Sequence, residues 1–220
     1  MSLRKQYDER LELIRSQIIQ MSSLATEMIE HAIHAALTGD LEVAESVINR
    51  DDVVDALEET VIRETVLLVM QESPVAGDLK MLTATLGVIG ELEKVADDAV
   101  KLARRAKKIA GGFPEELRSS LEDLSVNCKR SLAGAVRLYS QYDAGLAQEV
   151  ITLDEKIDLQ YALARQRIVE MIQSDPATAE GGITMMGIFQ ALEHVADHAV
   201  AIAKRLRVHY EAKSQNLSDI

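Results

Sequence analysis

Eight carboxylates stand out by type and spacing: Asp51 with Asp55, Glu93 with Asp97, Asp154 with Asp158, and Glu193 with Asp197. Within each pair the acids are four positions apart, which on an α-helix sets them side by side on one face. Anions so placed repel, and burying either is costly unless a cation compensates it. Each pair also interrupts a row that is otherwise largely apolar at helical spacing. One row reads Ala44, Ile48, Asp51, Asp55, Glu58, Ile62, Thr65, Val69, and another reads Ala147, Ile151, Asp154, Asp158, Tyr161, Arg165, Ile168, Ile172. Glu93 follows Leu82, Leu86 and Ile89, and Glu193 follows Met186 and Phe189, with Asp97 and Asp197 alongside. A sequence serving stability alone would place leucine there, so a basic side chain or a metal ion is expected opposite. One such pair would be ordinary on a solvated face, and Asp52, Glu59, Glu64, Glu91 and Asp98 are expected to be acids of that kind. Four pairs on apolar rows point to bound metal. Oxygen-only ligand sets suit hard cations such as Fe³⁺, Mn²⁺, Mg²⁺ or Ca²⁺.

The elements that must position these acids are helices. Tyr7, Leu11, Ile14, Ile18, Met21, Ala25, Met28, Ala32 and Ala35 alternate by four and three, predicting a first helix from Leu3 to Thr38. Gly39 supplies a stop and Asp40 a cap for a second helix, Leu41 to about Gln71, which ends at Ser73-Pro74. A third runs from about Gly77 to Ile109 and closes at Gly111-Gly112-Phe113-Pro114.

The pattern then restarts. Leu117, Leu121, Leu124, Cys128, Ser131, Ala135 and Leu138 repeat the first row; Asp143 stands in the place of Asp40, and Asp175-Pro176 in that of Ser73-Pro74. Leu192-Glu193-His194-Val195-Ala196-Asp197 repeats Leu92-Glu93-Lys94-Val95-Ala96-Asp97. An internal repeat of this length predicts an all-α protein. It comprises six long helices in two tandem three-helix bundles, residues 1–110 and 115–220. His194 and His198 flank the last acidic pair, where zinc or iron could recruit them. The first copy holds Lys94 and Asp98 in those places, so solvated histidine is expected there, as at His31, His34 and His209.

Composition narrows the function classes. A net charge of −12 argues against nucleic acid as the main ligand, since such a surface repels phosphates. The basic runs Arg104-Arg105-Ala106-Lys107-Lys108 and Lys204-Arg205-Leu206-Arg207 are expected at helix ends, answering the helix dipole. A single cysteine, Cys128, lies in an apolar row and reads as an inert core thiol. No window is apolar for the ~18 residues of a membrane span, and Met1 to Lys5 lack a signal-peptide core, so a cytoplasmic protein is expected, peripheral to a membrane at most. There is no Gly-x-x-x-x-Gly-Lys-Ser/Thr loop and no nucleophile motif, which argues against an enzyme.

Taken together, the chain resembles the PhoU family of phosphate-signalling regulators, from about Leu11 to Leu206. The resemblance rests on the duplicated three-helix unit and on the Leu-Glu-x-x-Ala-Asp segments at Leu92 and Leu192. Pro74-Val75-Ala76-Gly77-Asp78-Leu79-Lys80 is similar to the family's Pro-Val-Ala-Arg-Asp-Leu-Arg segment. Lys101 and Ala201 depart from the Asn that members often carry four residues after the motif's Asp, and Gly77 replaces an Arg. The resemblance implies a cytoplasmic homodimer that represses phosphate-starvation genes. Its partners would be the ATPase subunit of a phosphate ABC transporter and a phosphate-sensing histidine kinase. It also implies metal on the acidic motifs, iron clusters or Zn, Mn, Mg or Ca among the options. Two alternatives stand beside it: a di-iron carboxylate oxidase or ferroxidase, and a metal-free helical scaffold.

Overall fold

The structure is a computed structural model and describes residues 3–72, 74, 76–109 and 113–218. Gly39 adopts φ 74, a left-handed turn that suits glycine, and it ends α1 (Leu3–Thr38). The Asp40 carboxylate then accepts from the backbone N–H groups of Glu42 and Val43, both at 3.0 Å, and opens α2 (Leu41–Ile48). Asp143 does the same for α6 (Ala144–Ser174), accepting from Leu146 N–H after α5 (Glu115–Ser140). These capping roles match the expectation. Asp175 ends α6 and caps a single 3₁₀ turn, Pro176–Thr178, that leads into α7 (Ala179–Ser218).

The chain is all-α, six helical rods in two copies, but the second rod is divided. A turn at Asn49-Arg50 separates α2 from α3 (Asp51–Glu72), whereas its counterpart α6 runs unbroken. Asn is a weak helix former, and Asp51 and Asp52 suit the positive end of a new helix. Arg50 reaches across to Glu27 on α1 at 3.2 Å and so holds the break in place. Ser73, Val75 and the glycine junction at Gly111-Gly112, which the sequence places between rods, lie outside the described residues.

The third rods, α4 (Ala76–Ala106) and α7, form the central seam of the molecule. Around them α1 and α3 pack on α4, while α5 and α6 pack on α7, and both copies share one continuous apolar core. The two central helices run antiparallel in a reciprocal fit. A Cβ on Gly87 would collide with the Arg205 guanidinium, and one on Gly187 with that of Arg105. Each arginine therefore lies across a glycine of the opposite copy, and Asp98, His194 and His198 fall between these two crossings.

Candidate metal sites

In the second rods the row read from the sequence is buried at Ala44, Thr65, Ala147 and Ile168, but around the acids the buried stripe runs beside it, through Val47, Val54, Val61 and Leu68 on α2 and α3 and through Val150, Ile157 and Ala164 on α6. The acids lie one step to the side, where the flank of the second rod meets the flank of the third. Asp51, Glu93, Asp97, Asp154 and Glu193 are half-buried, and Asp55, Asp158 and Asp197 are exposed. The expectation that they occupy core positions is thus corrected: alternating by four and three admitted either of two adjacent stripes, and the apolar one won. Such a margin leaves carboxylates accessible while their neighbours strip away part of the water.

Within each copy the two pairs lie near enough to feel each other's charge. Burial raises the Asp51 carboxyl above its ordinary range, and the charges of Asp55 on the same helix and Asp97 on α4 add to the shift. Glu93 is raised by burial, then by Asp97, Glu58 and Asp55. In the second copy burial raises Asp154, with Asp158 and Asp197 adding, and raises Glu193, with Asp197, Asp158 and Asp154 adding. The chain offers partial relief: Arg104 and Lys94 in the first copy, Lys204 and His194 in the second. Glu58 joins the first cluster and is itself raised, by burial and by Asp55. It stood on the same row in the sequence, one step past Asp55, but its counterpart is Tyr161, so the repeat did not mark it.

All these donors are carboxylate oxygens, a chemistry that fits hard cations. The Oδ1 of Asp154 is buried without a hydrogen-bond partner, so an acceptor there awaits a positive group. Among the described residues no three His, Cys, Asp or Glu side chains are already gathered as a ready metal site.

Other expectations change. Asp98 and Glu91 are buried, not solvated, because they face α7 across the seam. Lys101 Nζ donates to Asp98 Oδ1 at 2.9 Å, and Lys94 Nζ to Glu91 Oε2 at 3.3 Å. His198 Nδ1 stands 2.9 Å from Glu91 Oε2, and its Nε2 is 3.4 Å from Asp98 Oδ2. His194 Nδ1 is 3.8 Å from Asp98 Oδ1. Solvated histidine therefore fails for His198, and also for His31, whose half-buried ring keeps Nδ1 out of water without a partner. His209 is half-buried as well, edge-on to Tyr210 at 4.8 Å, whereas His34 is exposed. Arg104 and Arg105 do lie in the last turn of α4, but Lys204 to Arg207 lie well inside α7, which runs to Ser218. Cys128 is buried and its thiol is pushed up by that burial, in keeping with an inert core residue.

Two stretches, residues 18–106 and 121–206, each match the family model described as the PhoU domain. The chain belongs to the PhoU family. It is 26% identical over 202 residues to the phosphate-specific transport system accessory protein PhoU homolog of Pseudomonas aeruginosa, covering 91% of this chain and 83% of that one. It is 28% identical over 213 residues to the phosphate-specific transport system accessory protein PhoU of Serratia marcescens, covering 96% and 86%. The crystal structure of PhoU from Pseudomonas aeruginosa superposes with a TM-score of 0.90 at 24% identity, over 94% of this chain and 99% of that one. That of the phosphate transport system regulatory protein PhoU from Streptococcus pneumoniae gives 0.84 at 21% identity, over 93% and 96%. Both show the same fold. The PhoU family is one of phosphate-transport accessory and regulatory proteins and is not an enzyme family. Among the described residues no helix is long and apolar enough to cross a membrane.

Proposed function

We propose that this chain is a cytoplasmic negative regulator of phosphate uptake and of phosphate-starvation signalling. In that role it acts on the ATPase subunit of a phosphate ABC transporter and on a phosphate-sensing histidine kinase, as a homodimer. The observation that carries this reading is the double match to the PhoU domain, and the acidic pairs whose charges act on each other within each copy support it. Deleting the gene in the source organism is expected to derepress phosphate uptake and starvation genes. Unchanged uptake and expression would overturn the regulatory role.

The acid clusters are part of the proposal as sites for hard cations. Asp51, Asp55, Glu93 and Asp97, with Glu58 beside them, would hold metal in the first copy; Asp154, Asp158, Glu193 and Asp197 would do so in the second. A bound cation supplies the positive charge that these oxygens lack, and so ties the second rod of each copy to the third. The orphaned Asp154 oxygen and the raised carboxyls support this use. Elemental analysis after purification without chelator, and after reconstitution with iron or manganese, tests it. Metal retained undiminished by a variant with all eight acids changed to amides sinks the assignment. The oxidase alternative lacks the Glu-x-x-His step that helical di-iron sites use, since no Glu in this sequence precedes a His by three.

A further inference from the structure

The repeat matches the two ends of the molecule position by position, and the ends differ in chemistry. At the first-copy end two cavities open on either side of α4 and share Leu79 and Thr83. One, of about 260 Å³, lies between α3 and α4, with Val66, Met70 and Leu86 in its walls. The other, of about 490 Å³, lies between α4 and α7, with Lys80, Arg205 and Val208 in its walls. Ile62, Val66 and Met70 are spaced by four and make one exposed ridge of α3. Met70 is 73% exposed and Val208 65%, so large apolar side chains stand in water on both sides of the groove. At the other end Arg165, Gln173, Ala179 and Lys108 take the places of Ile62, Met70, Leu79 and Val208. Val169 and Ile183 are exposed there too, but without those apolar neighbours. The duplicated fold therefore does not need apolar side chains at these positions, and patches of this kind mark contact surfaces.

We propose that this groove docks an amphipathic helix of a partner protein, one whose apolar stripe is flanked by Asp or Glu. The sign follows from the charges. The chain carries 36 acids against 24 Lys and Arg, yet among the described residues that line the two cavities there is no carboxylate. Lys80 and Arg205 are there instead. Lys80 is exposed and makes no ion pair among the described residues, so its ammonium is open to a partner's carboxylate. Of the acids nearby in sequence, Glu64 pairs with Arg10 at 3.5 Å and Glu211 with Arg207 at 3.9 Å. The counterpart of Lys80 at the other end is Glu180, of opposite sign.

The shape suits a helix. Side-by-side ridges with a channel between them take up the apolar face of a helix through its i, i+3, i+4 and i+7 positions. Ile62 to Met70 covers about 12 Å at 1.5 Å per residue, about two turns of a docked helix. A second copy of this chain fits less well, because a two-fold contact here brings Lys80 and Arg205 of both copies into one interface. An anionic membrane is opposed by the net charge of −12. The inference rests on neither the acid clusters nor the phosphate role proposed above.

The test is selection, on the full-length protein, from a displayed library of amphipathic sequences about 18 residues long, enough to form a helix. Leucines are fixed at helical spacing, and the flanking positions vary among Glu, Gln and Lys. Glutamate-flanked sequences are expected to be enriched, and the best of them, synthesised with a fluorescent label, to bind saturably by anisotropy. Met70→Ser combined with Leu79→Ser should weaken that peptide about tenfold. Lys80→Glu should weaken it about fivefold and flatten its salt dependence. All three side chains are exposed, so the variants keep the fold, which circular dichroism checks. Enrichment of lysine-flanked sequences, no enrichment over the doubly substituted variant, or unchanged affinity in that variant overturns the proposal. So does co-sedimentation with phosphatidylglycerol vesicles, or a dimer, that the same two substitutions abolish, since the groove would then belong to a membrane or to a second copy.

Discussion

Asp97 and Asp98 are neighbours on α4, yet they belong to regions of opposite electrostatic character. Asp97 points to the margin between α3 and α4, among Asp51 and Glu93. Asp98 points to the seam with α7. Burial pushes Asp98 up, but hydrogen bonds from His198 and Lys101 outweigh it and hold the carboxyl below its usual range. At the margins the protein leaves acids short of cations; at the seam it answers a buried acid with His198 and Lys101. The seam fixes how the two copies sit on each other. The margins keep an unmet demand for positive charge, which is what a reversible cation site requires.

The contrast is broken most directly by substitution. Asp98→Ala removes a carboxylate whose side chain is 2% exposed, and leaves His198 and Lys101 without their partner. Breaking such a buried pair costs about 3 kcal/mol, at the low end because Lys101 can turn to solvent. Asp97→Ala, one residue away, is expected to change stability by less than about 0.5 kcal/mol. Denaturant unfolding of both variants in chelator-treated form decides it, and equal losses would erase the distinction between the regions.

Metal addition is the next effect in size. With the margins as cation sites, Mn²⁺ at a hundred times its dissociation constant should stabilise the folded protein by about 2.7 kcal/mol for each site filled. Thermal unfolding should show that gain in the parent, and its reduction when Asp154, Asp158, Glu193 and Asp197 become amides. A gain that persists in full would move the ion away from the second-copy margin.

Much of this was legible before any coordinates. The duplicated apolar rows and the caps Asp40 and Asp143 announced six rods in two copies, because helix periodicity and capping are local properties of the chain. The acidic pairs were legible for the same reason: residues four apart are neighbours in any helix. Asp98 and Glu91 were not. Their burial is produced by the packing of α4 on α7, a contact between residues about a hundred positions apart, and nothing in the local pattern separates them from solvated acids. The break at Asn49-Arg50 was hidden likewise, since the apolar spacing of Val47 and Val54 continues straight across it. Glu58 was on the right row but lacked a partner in the second copy, so the repeat, which pointed to the other acids, passed over it.

The smallest effect is also the most specific to the margins. Like charges at i, i+4 cost about 0.2–0.5 kcal/mol on a helix, so Asp154→Asn should stabilise the chelator-treated protein at neutral pH by about that amount. The folded Asp154 carboxyl is raised above its unfolded value, by burial first and then by Asp158 and Asp197. Its contribution to stability is therefore fully present below the unfolded value and is lost as pH rises through the raised folded one. The advantage of Asp154→Asn should accordingly shrink as pH falls from neutrality into the carboxylate range, where Asp154 takes up its proton. Asp98, held low, gives the opposite slope in a lower window: its contribution is lost only as pH falls through its depressed folded value. Comparing the parent with Asp154→Asn at each pH cancels that shared slope and leaves the margin alone. An Asp154→Asn variant less stable than the parent in the presence of chelator would mean that the chain itself supplies a cation to this carboxylate, and the margin would then resemble the seam.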